Sequence, residues 1–411
     1  MHRARCYRKF VICIVLFATV WIVMLVVGPK LTKPPRVLPF LDVSYWSKSS
    51  DGDHSSSLNA DARDVRNQSK PVLPGRFPEA TRHLPTPVLL FASMRTGSSF
   101  VGEALGNSKD VFYLFEPGHA LQTTQLAKLE SMRSLGLTYN VASLCINMLA
   151  KLYRCDFRDL DFYLKYLSDQ KLDVLKHRTP RLYEACRYRQ PHDATQCKVT
   201  LRMATKSCKQ SKYVIVKEIR IPQIEMLTPL IEAHGLDLKV INLIRDPRPM
   251  TASVLRAMRG RNLFSSNKTL PKYCRGVLSK YCRYGKANLE LGKGPSWQRR
   301  YMFLRYEDMA SDPTSTTNNI FKFLGRRKVP KTVQRWIEKN TKSGTPGPYS
   351  TSGNSSQVYQ AWRGAMPFEV AKAIEEVGQC REMMDMMGYR LLEDERHQRN
   401  LSRSLYGHLN V

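Results

Sequence analysis

Apolar residues gather along this chain in short unbroken runs, and the runs alternate with stretches whose apolar positions recur at helical spacing. Val88 to Ala92 reads as a buried strand that stops at a polar, glycine-containing turn, and Phe100 to Leu105 behind it reads as helix. Val111 to Phe115, Tyr213 to Val216 and Lys239 to Ile244 are three more strand runs, with a helix-like stretch from Pro222 to Ala233 before the last. Tyr301 to Arg305 is a candidate fifth. Strands alternating with helices predict an α/β fold with a mostly parallel sheet flanked by helices. Leu121 to Leu167 looks helical, whereas Ser168 to Cys208 is polar, cysteine-bearing and irregular, and reads as an insertion stapled by disulfides. Pro313 to Leu324, stopped by Gly325, and Val329 to Asn340 read as helices, Lys342 to Gly353 as a Gly/Pro/Ser loop, and Pro367 to Met387 as a final long helix ended by Gly388. The chain shows no internal repeat.

The longest apolar run lies at the N-terminus. Phe10 to Val27 is 18 residues without a charge, enough at about 1.5 Å per residue to cross a hydrocarbon core. Arg3, Arg5, Arg8 and Lys9 precede it and predict a cytosolic tail with the remainder across the membrane, a type II arrangement. A cleaved signal peptide is the rival, but Gly28-Pro29-Lys30 makes a poor cleavage site. The expected organisation is a tail over 1–9, a single transmembrane signal anchor over 10–27, a Pro/Ser-rich lumenal stem over 28–84 and a catalytic domain over 85–411.

Composition then narrows the partners. The 411 residues carry 65 Lys+Arg against 35 Asp+Glu, a formal charge of +30, and a hydrophobic fraction of 42% that excludes disorder as the main state. Such a surplus calls for a polyanion: nucleic acid, an acidic membrane, a phosphorylated cofactor or an acidic glycan. A lumenal location removes nucleic acid. Eight cysteines follow the anchor, Cys145, Cys155, Cys186, Cys197, Cys208, Cys274, Cys282 and Cys380, allowing up to four disulfides in an oxidising compartment. None has the tight spacing of a zinc site, and no metal is expected. Sequons at Asn67, Asn267, Asn354 and Asn400 fit the same side of the membrane.

Two segments carry phosphate chemistry. The turn Ser93-Met94-Arg95-Thr96-Gly97-Ser98-Ser99 joins a buried strand to a helix N-terminus, where backbone N–H groups, the helix dipole and two hydroxyls make an anion cradle, with Gly97 permitting close approach. It lacks the Gly-x-x-x-x-Gly-Lys pattern of a Walker A loop. In the second, Arg245-Asp246-Pro247-Arg248-Pro249-Met250-Thr251-Ala252-Ser253, a strand ends at Arg245, Pro247 can open a helix, and Ser253 stands two turns in. Arg245 and Ser253 could converge on one phosphate, the Arg supplying a planar fork. Taken singly, each segment also reads as an ordinary capped turn or a surface ion pair.

Together the two segments resemble the cofactor signature of the sulfotransferases. The chain is similar in particular to the Golgi carbohydrate 6-O-sulfotransferases that act on keratan, chondroitin and N-acetylglucosamine. Further similarity runs through Asp110 to Pro117, Val216-Lys217 with Arg220, Tyr301 to Pro313, and Trp362-Arg363 to Gly388-Tyr389, covering about Pro85 to Leu392. The resemblance implies a P-loop-like sulfotransferase fold and 3′-phosphoadenosine-5′-phosphosulfate (PAPS) as sulfate donor. The loop from Ser93 to Ser99 would hold its 5′-phosphosulfate, and Arg245 to Ser253 its 3′-phosphate. It implies sulfuryl transfer to the 6-hydroxyl of a galactose or N-acetylhexosamine. Arg95 would stabilise the leaving phosphate where cytosolic relatives use Lys, and Glu116 would act as base. Relatives often carry two residues and then His after the Glu-Pro pair, whereas here Gly118 alone separates Pro117 from His119, which comes one residue early. Lys217 and Arg220 read either as anion contacts or as a solvated charge pair, Arg305-Tyr306-Glu307-Asp308 as structural, and Trp362-Arg363 as a sugar-gripping lid or a buried anchor. The implied setting is a Golgi membrane, the implied partner an acidic glycan or proteoglycan acceptor, with a homo-oligomer compatible. Two other classes remain. A Golgi glycosyltransferase would need an Asp-x-Asp metal site, matched in letters by Asp51-Gly52-Asp53 and Asp159-Leu160-Asp161. A non-enzymatic binder of acidic glycans would need the charge but not the two phosphate segments.

Overall fold

A computed structural model describes residues 84–124, 141–189, 195–259, 270–342, 351 and 353–407. The expected anchor, nearly all of the stem, the sequons at Asn67 and Asn267 and most of the 342–353 loop lie outside them.

Five strands form one sheet: β1 (Thr86–Ala92), β2 (Val111–Phe115), β3 (Tyr213–Glu218), β4 (Lys239–Ile244) and β5 (Tyr301–Arg305). They lie in the order β2-β3-β1-β4-β5 and every pair is parallel. The continuous apolar runs follow from this arrangement, because a parallel sheet is covered on both faces. Leu89, Phe91, Phe112, Leu114, Val214 and Val216 face one core. Val88, Leu90, Val111, Tyr113, Ile215 and Ile241 face the other. From central β1 the chain winds to β2 and β3 on one side and later to β4 and β5 on the other. The loops leaving the C-terminal ends of β1 and β4 therefore diverge and open a crevice, the usual ligand position in such sheets.

The helices that bear on the site are α1 (Ser98–Gly106), α2 (Pro117–Thr124), α3 (Leu201–Lys209), α4 (Pro247–Arg259), α5 (Lys272–Gly292) and α6 (Lys331–Lys342). All five expected strands are present, and β3 runs two residues beyond its apolar run, carrying Lys217 and Glu218 into the sheet.

The structure corrects four expectations. The stretch from Ser168 to Cys208 is helical rather than irregular, with helices Leu172–Arg178, Pro180–Arg189 and α3. Two disulfides do staple it, Cys155–Cys208 and Cys186–Cys197, with Cα separations of 5.6 and 5.8 Å. Of the other cysteines, Cys282 and Cys380 pair to tie α5 to helix Cys380–Met386, while Cys145 and Cys274 stay as buried thiols. The helical stretch ending at Leu167 is broken between Val141–Tyr153 and Asp161–Ser168, where Cys155 and Asp159 take φ of 54° and 59°. The final long helix is two, Phe368–Glu375 and Cys380–Met386, parted at Gly378 with φ 52°. A Cβ at Gly378 would meet Ser279 Oγ at 2.9 Å. Lastly, the 21-residue α5 is absent from the expected elements. Its buried Cys274, Leu278, Tyr281, Cys282 and Leu289 keep helical spacing, and the charged residues between them dilute that pattern.

Candidate functional site

The loop after β1 makes two left-handed turns in three residues, at Arg95 (φ 66°) and Gly97 (φ 87°). Thr96 between them is fully buried and donates its hydroxyl to Ser93 O at 2.8 Å, which pins the loop from within. Gly97 immediately precedes α1 as its N-cap, and no side-chain cap is made there among the described residues. A helix start without an N-cap side chain leaves first-turn amides to other partners, and with the helix dipole this favours an anion there. Glycine is required twice over at 97: by the positive φ, and because a Cβ would strike the ring of Tyr306.

The second segment reaches the first. Arg95 Nε donates to Ser253 Oγ at 2.9 Å, and Arg245 Nη1 donates to Arg95 O at 3.1 Å. Tyr281, from α5, fixes Arg245 by accepting from its backbone N (3.0 Å) and donating to its carbonyl (2.6 Å). The Arg245 guanidinium lies 4.4 Å from the Tyr306 ring centre, and its buried Nε has no hydrogen-bond partner among the described residues. Arg95, Arg245 and Ser253 thus meet beside the start of α1.

Their neighbours are turned to bracing. Arg248 is fully buried, forked onto Asp246 (Nη2 to Oδ2, 2.6 Å) and bound to Glu375 (2.9 Å). Thr251 donates to Pro247 O at 2.7 Å, while Met250 and Ala252 pack in the core; Pro247 opens α4 and Pro249 follows within its first turn. The backbone N of Asp246 donates to Glu307, whose other oxygen accepts from Tyr389 OH at 2.6 Å. Burial, with the charge of Asp246 adding to it, pushes the Glu307 carboxyl up to about 7. Arg305 is forked onto Asp308 and bonded to Met387 O, the expected structural role.

A second cluster stands at the ends of β2 and β3. Glu116, 4% exposed with φ 45°, is gripped by Lys217 Nζ and by Arg220 Nη1, the latter at 2.9 Å. Burial alone would raise this carboxyl, but the two cations outweigh it and hold it at about 2. Lys217 is itself buried and lies 4.2 Å from the Phe115 ring centre. Glu218, which sequence reasoning missed, accepts from the backbone N of Gly118 (2.7 Å), Ile219 and Arg220 and also takes an Arg220 guanidinium hydrogen, so it anchors the start of α2. Arg178, also missed, has its guanidinium 5.0 Å from the Phe115 ring centre and donates to Gln170. The one available signal was the unbroken Lys217-Glu218 pair at the end of an apolar run. Strand β3 lies between β1 and β2, so Glu116 and the loop after β1 leave the sheet two strand spacings, about 10 Å, apart.

Residues 85–388 match the sulfotransferase domain. The chain belongs to the sulfotransferase family. Carbohydrate sulfotransferase 3 of Homo sapiens is 32% identical over 349 residues, covering 77% of this chain and 70% of its own length. The carbohydrate sulfotransferase 3 of Tetronarce californica is 31% identical over 381 residues, 87% of this chain and 81% of its own. Carbohydrate sulfotransferase 1 of Danio rerio is 29% identical over 357 residues, 78% and 81% respectively.

In this sulfotransferase the remaining sequence candidates fall as follows. His119 lies beside Tyr166, Nδ1 to OH 2.9 Å, and burial, aided by Arg220, lowers it to about 4, so the imidazole is neutral near pH 7. Trp362 is buried beneath Arg248, and Arg363 donates to the carbonyls of Gln398, His397 and Asn400, making the pair an anchor for the C-terminal segment rather than a lid. Asp159 of the Asp-x-Asp match is paired with Lys151 at the surface. Among the described residues no three His, Cys, Asp or Glu side chains cluster as metal ligands do.

Proposed function

We propose that this sulfotransferase transfers the sulfuryl group of PAPS to the 6-hydroxyl of a galactose or N-acetylhexosamine in keratan- or chondroitin-type glycans. We place it in the Golgi membrane with type II topology and the catalytic domain lumenal. The observation that carries the reading is the meeting of Arg95, Arg245 and Ser253 beside the uncapped start of α1. The names of the relatives support a carbohydrate acceptor.

The residues present fit such a donor. An unpartnered guanidinium nitrogen on Arg245, an uncapped helix start and a glycine pressed under Tyr306 are what a pocket for two phosphate groups requires. PAPS, when bound, supplies a sulfuryl group already activated on a phosphate. The first-turn amides of α1 with Ser98 and Ser99 would hold the phosphosulfate end, and Arg245 with Ser253 the 3′-phosphate. Arg95, fixed by Ser253, offers a preoriented cation where charge grows on the leaving oxygen. Glu116 would take the proton of the acceptor hydroxyl. Held at about 2 by Lys217 and Arg220, it is a weak base. An anion that draws either cation aside raises its proton affinity, so base strength and anion occupancy are coupled.

The test uses the full-length protein in detergent with radiolabelled PAPS, EDTA and a panel of desulfated keratan and chondroitin chains, followed by disaccharide analysis. Label at a 6-position supports the reading. Failure to label any chain, or Mn²⁺-dependent transfer from a sugar nucleotide, overturns it in favour of a glycosyltransferase.

A further inference from the structure

Helix α6 carries charge that the transfer chemistry leaves unused. One of its faces is core: Val333 and Ile337 are buried, and Trp336 packs on Phe100 of α1 with ring centres 5.3 Å apart. At about 100° per residue, Lys331, Arg335, Lys339 and Lys342 project from the opposite face within an arc of about 80°, and Lys328 leads into the row. All five are exposed, and none makes an ion pair among the described residues. Glu338 is the only acidic residue of the helix. From Lys331 to Lys342 the row runs about 16 Å. Like charges at this spacing repel and weaken a helix; Glu338, three positions from Arg335 and four from Lys342, offsets part of that repulsion, and a bound anion relieves the rest.

We propose that this row is an exosite for a polyanionic glycan, gripping a stretch of the acceptor polymer away from the sugar that reacts. The proposal rests on the sulfotransferase reading above and adds the place on the fold, away from the reacting sugar, where a length of the acidic acceptor chain is held. Its position suits the task, since α6 packs on α1, whose first turn forms the phosphate cradle. The row is narrow and straight, as a linear polymer needs. A bilayer surface fits less well, because the residues beside the row, Thr332, Gln334 and Glu338, are polar and Trp336 is turned onto Phe100.

The full-length protein is run on immobilised chondroitin sulfate with a salt gradient, and its KM for soluble chondroitin chains is measured. The triple variant Lys331→Gln, Arg335→Gln, Lys339→Gln is compared with Arg202→Gln, Lys206→Gln, Lys209→Gln, which removes the same charge from α3 on the opposite face of the sheet. The α6 triple should elute at clearly lower salt and show a KM raised about tenfold, with the α3 triple close to wild type. Equal shifts in both triples, or none in either, would overturn the proposal. So would loss of binding to phosphatidylserine vesicles in the α6 triple with glycan elution unchanged. The column reads the exosite even where no acceptor becomes sulfated, so failure of the transfer reading and failure of the exosite give different results.

Discussion

Arg95 and Ser253 are 158 positions apart in sequence, yet the Nε of one donates to the Oγ of the other at 2.9 Å. The bond ties the loop after β1 to the second turn of α4, so the cation beside the cradle is aimed by the helix that carries its partner. Ser253→Ala should leave the cation in place but loosened. KM for PAPS rises roughly tenfold, the weight of one ordinary hydrogen bond, and kcat falls by less. Arg95→Ala removes the cation itself, and kcat should drop about a hundredfold or more. Initial rates at varied PAPS separate the two patterns. A Ser253→Ala enzyme as slow as Arg95→Ala would mean the hydroxyl does more than position.

Gly97 answers to two constraints, its φ of 87° and the Tyr306 ring against it. Gly97→Ala should therefore distort the cradle rather than trim it. Affinity for adenosine 3′,5′-bisphosphate, measured by calorimetry, is expected to fall more than tenfold. Tyr306→Ala in the same background gives room but not the backbone conformation, and should restore little of it.

How far the sequence speaks for this site depends on how local each signal is. Val88 to Ala92 announces β1 because a parallel strand buried on both faces needs an unbroken apolar run. The interval from Arg245 to Ser253 suggests their convergence because Arg245 follows the end of β4 and Ser253 lies in the second turn of the helix after it; Arg95 is what joins them. Glu218 gives only the hint of a charged pair ending an apolar run, because its meaning lies in Gly118, 100 positions away. The same holds for Tyr281, which locks Arg245 from a helix whose apolar spacing is diluted by charge. Asp246 and Arg248 show the converse. They stand inside a motif and look like ligands, but Arg248 is drawn inward by Glu375, 127 positions on.

Glu116 is the residue on which the base assignment turns. Glu116→Gln should lower turnover about a hundredfold or more while bisphosphate affinity changes only a few-fold. Retention of more than roughly a tenth of the rate would remove it from the mechanism. The substitution also leaves Lys217 buried without its counter-charge, which breaks half of a buried pair and costs about 3–5 kcal/mol. Activity is therefore compared at a temperature where the variant's near-UV spectrum is native. Lys217→Met with Glu116→Gln should regain much of that stability and none of the rate.

His119 sets a pH dependence that can be read without substrate. In the folded protein its pKa is lowered to about 4 from 6.5, first by burial. As pH falls from about 6.5 to 4 the unfolded chain takes up a proton that the folded protein refuses, so the His119 contribution to stability declines through that window and levels off below it. Glu307 acts with the opposite sign. Its carboxyl is raised to about 7, so the folded protein holds a proton that the unfolded chain has lost, and stability rises as pH falls from about 7 towards 4.5. In the wild-type profile these two contributions oppose each other, beside those of His177, raised chiefly by its hydrogen bond to Glu103, and His397, lowered chiefly by burial. His119→Asn keeps a polar atom near Tyr166 and removes only the first contribution. Its urea midpoint should therefore increase on going from pH 7.5 to pH 5 relative to that of wild type. Parallel profiles for the two proteins would show that the imidazole titrates as it does in the unfolded chain.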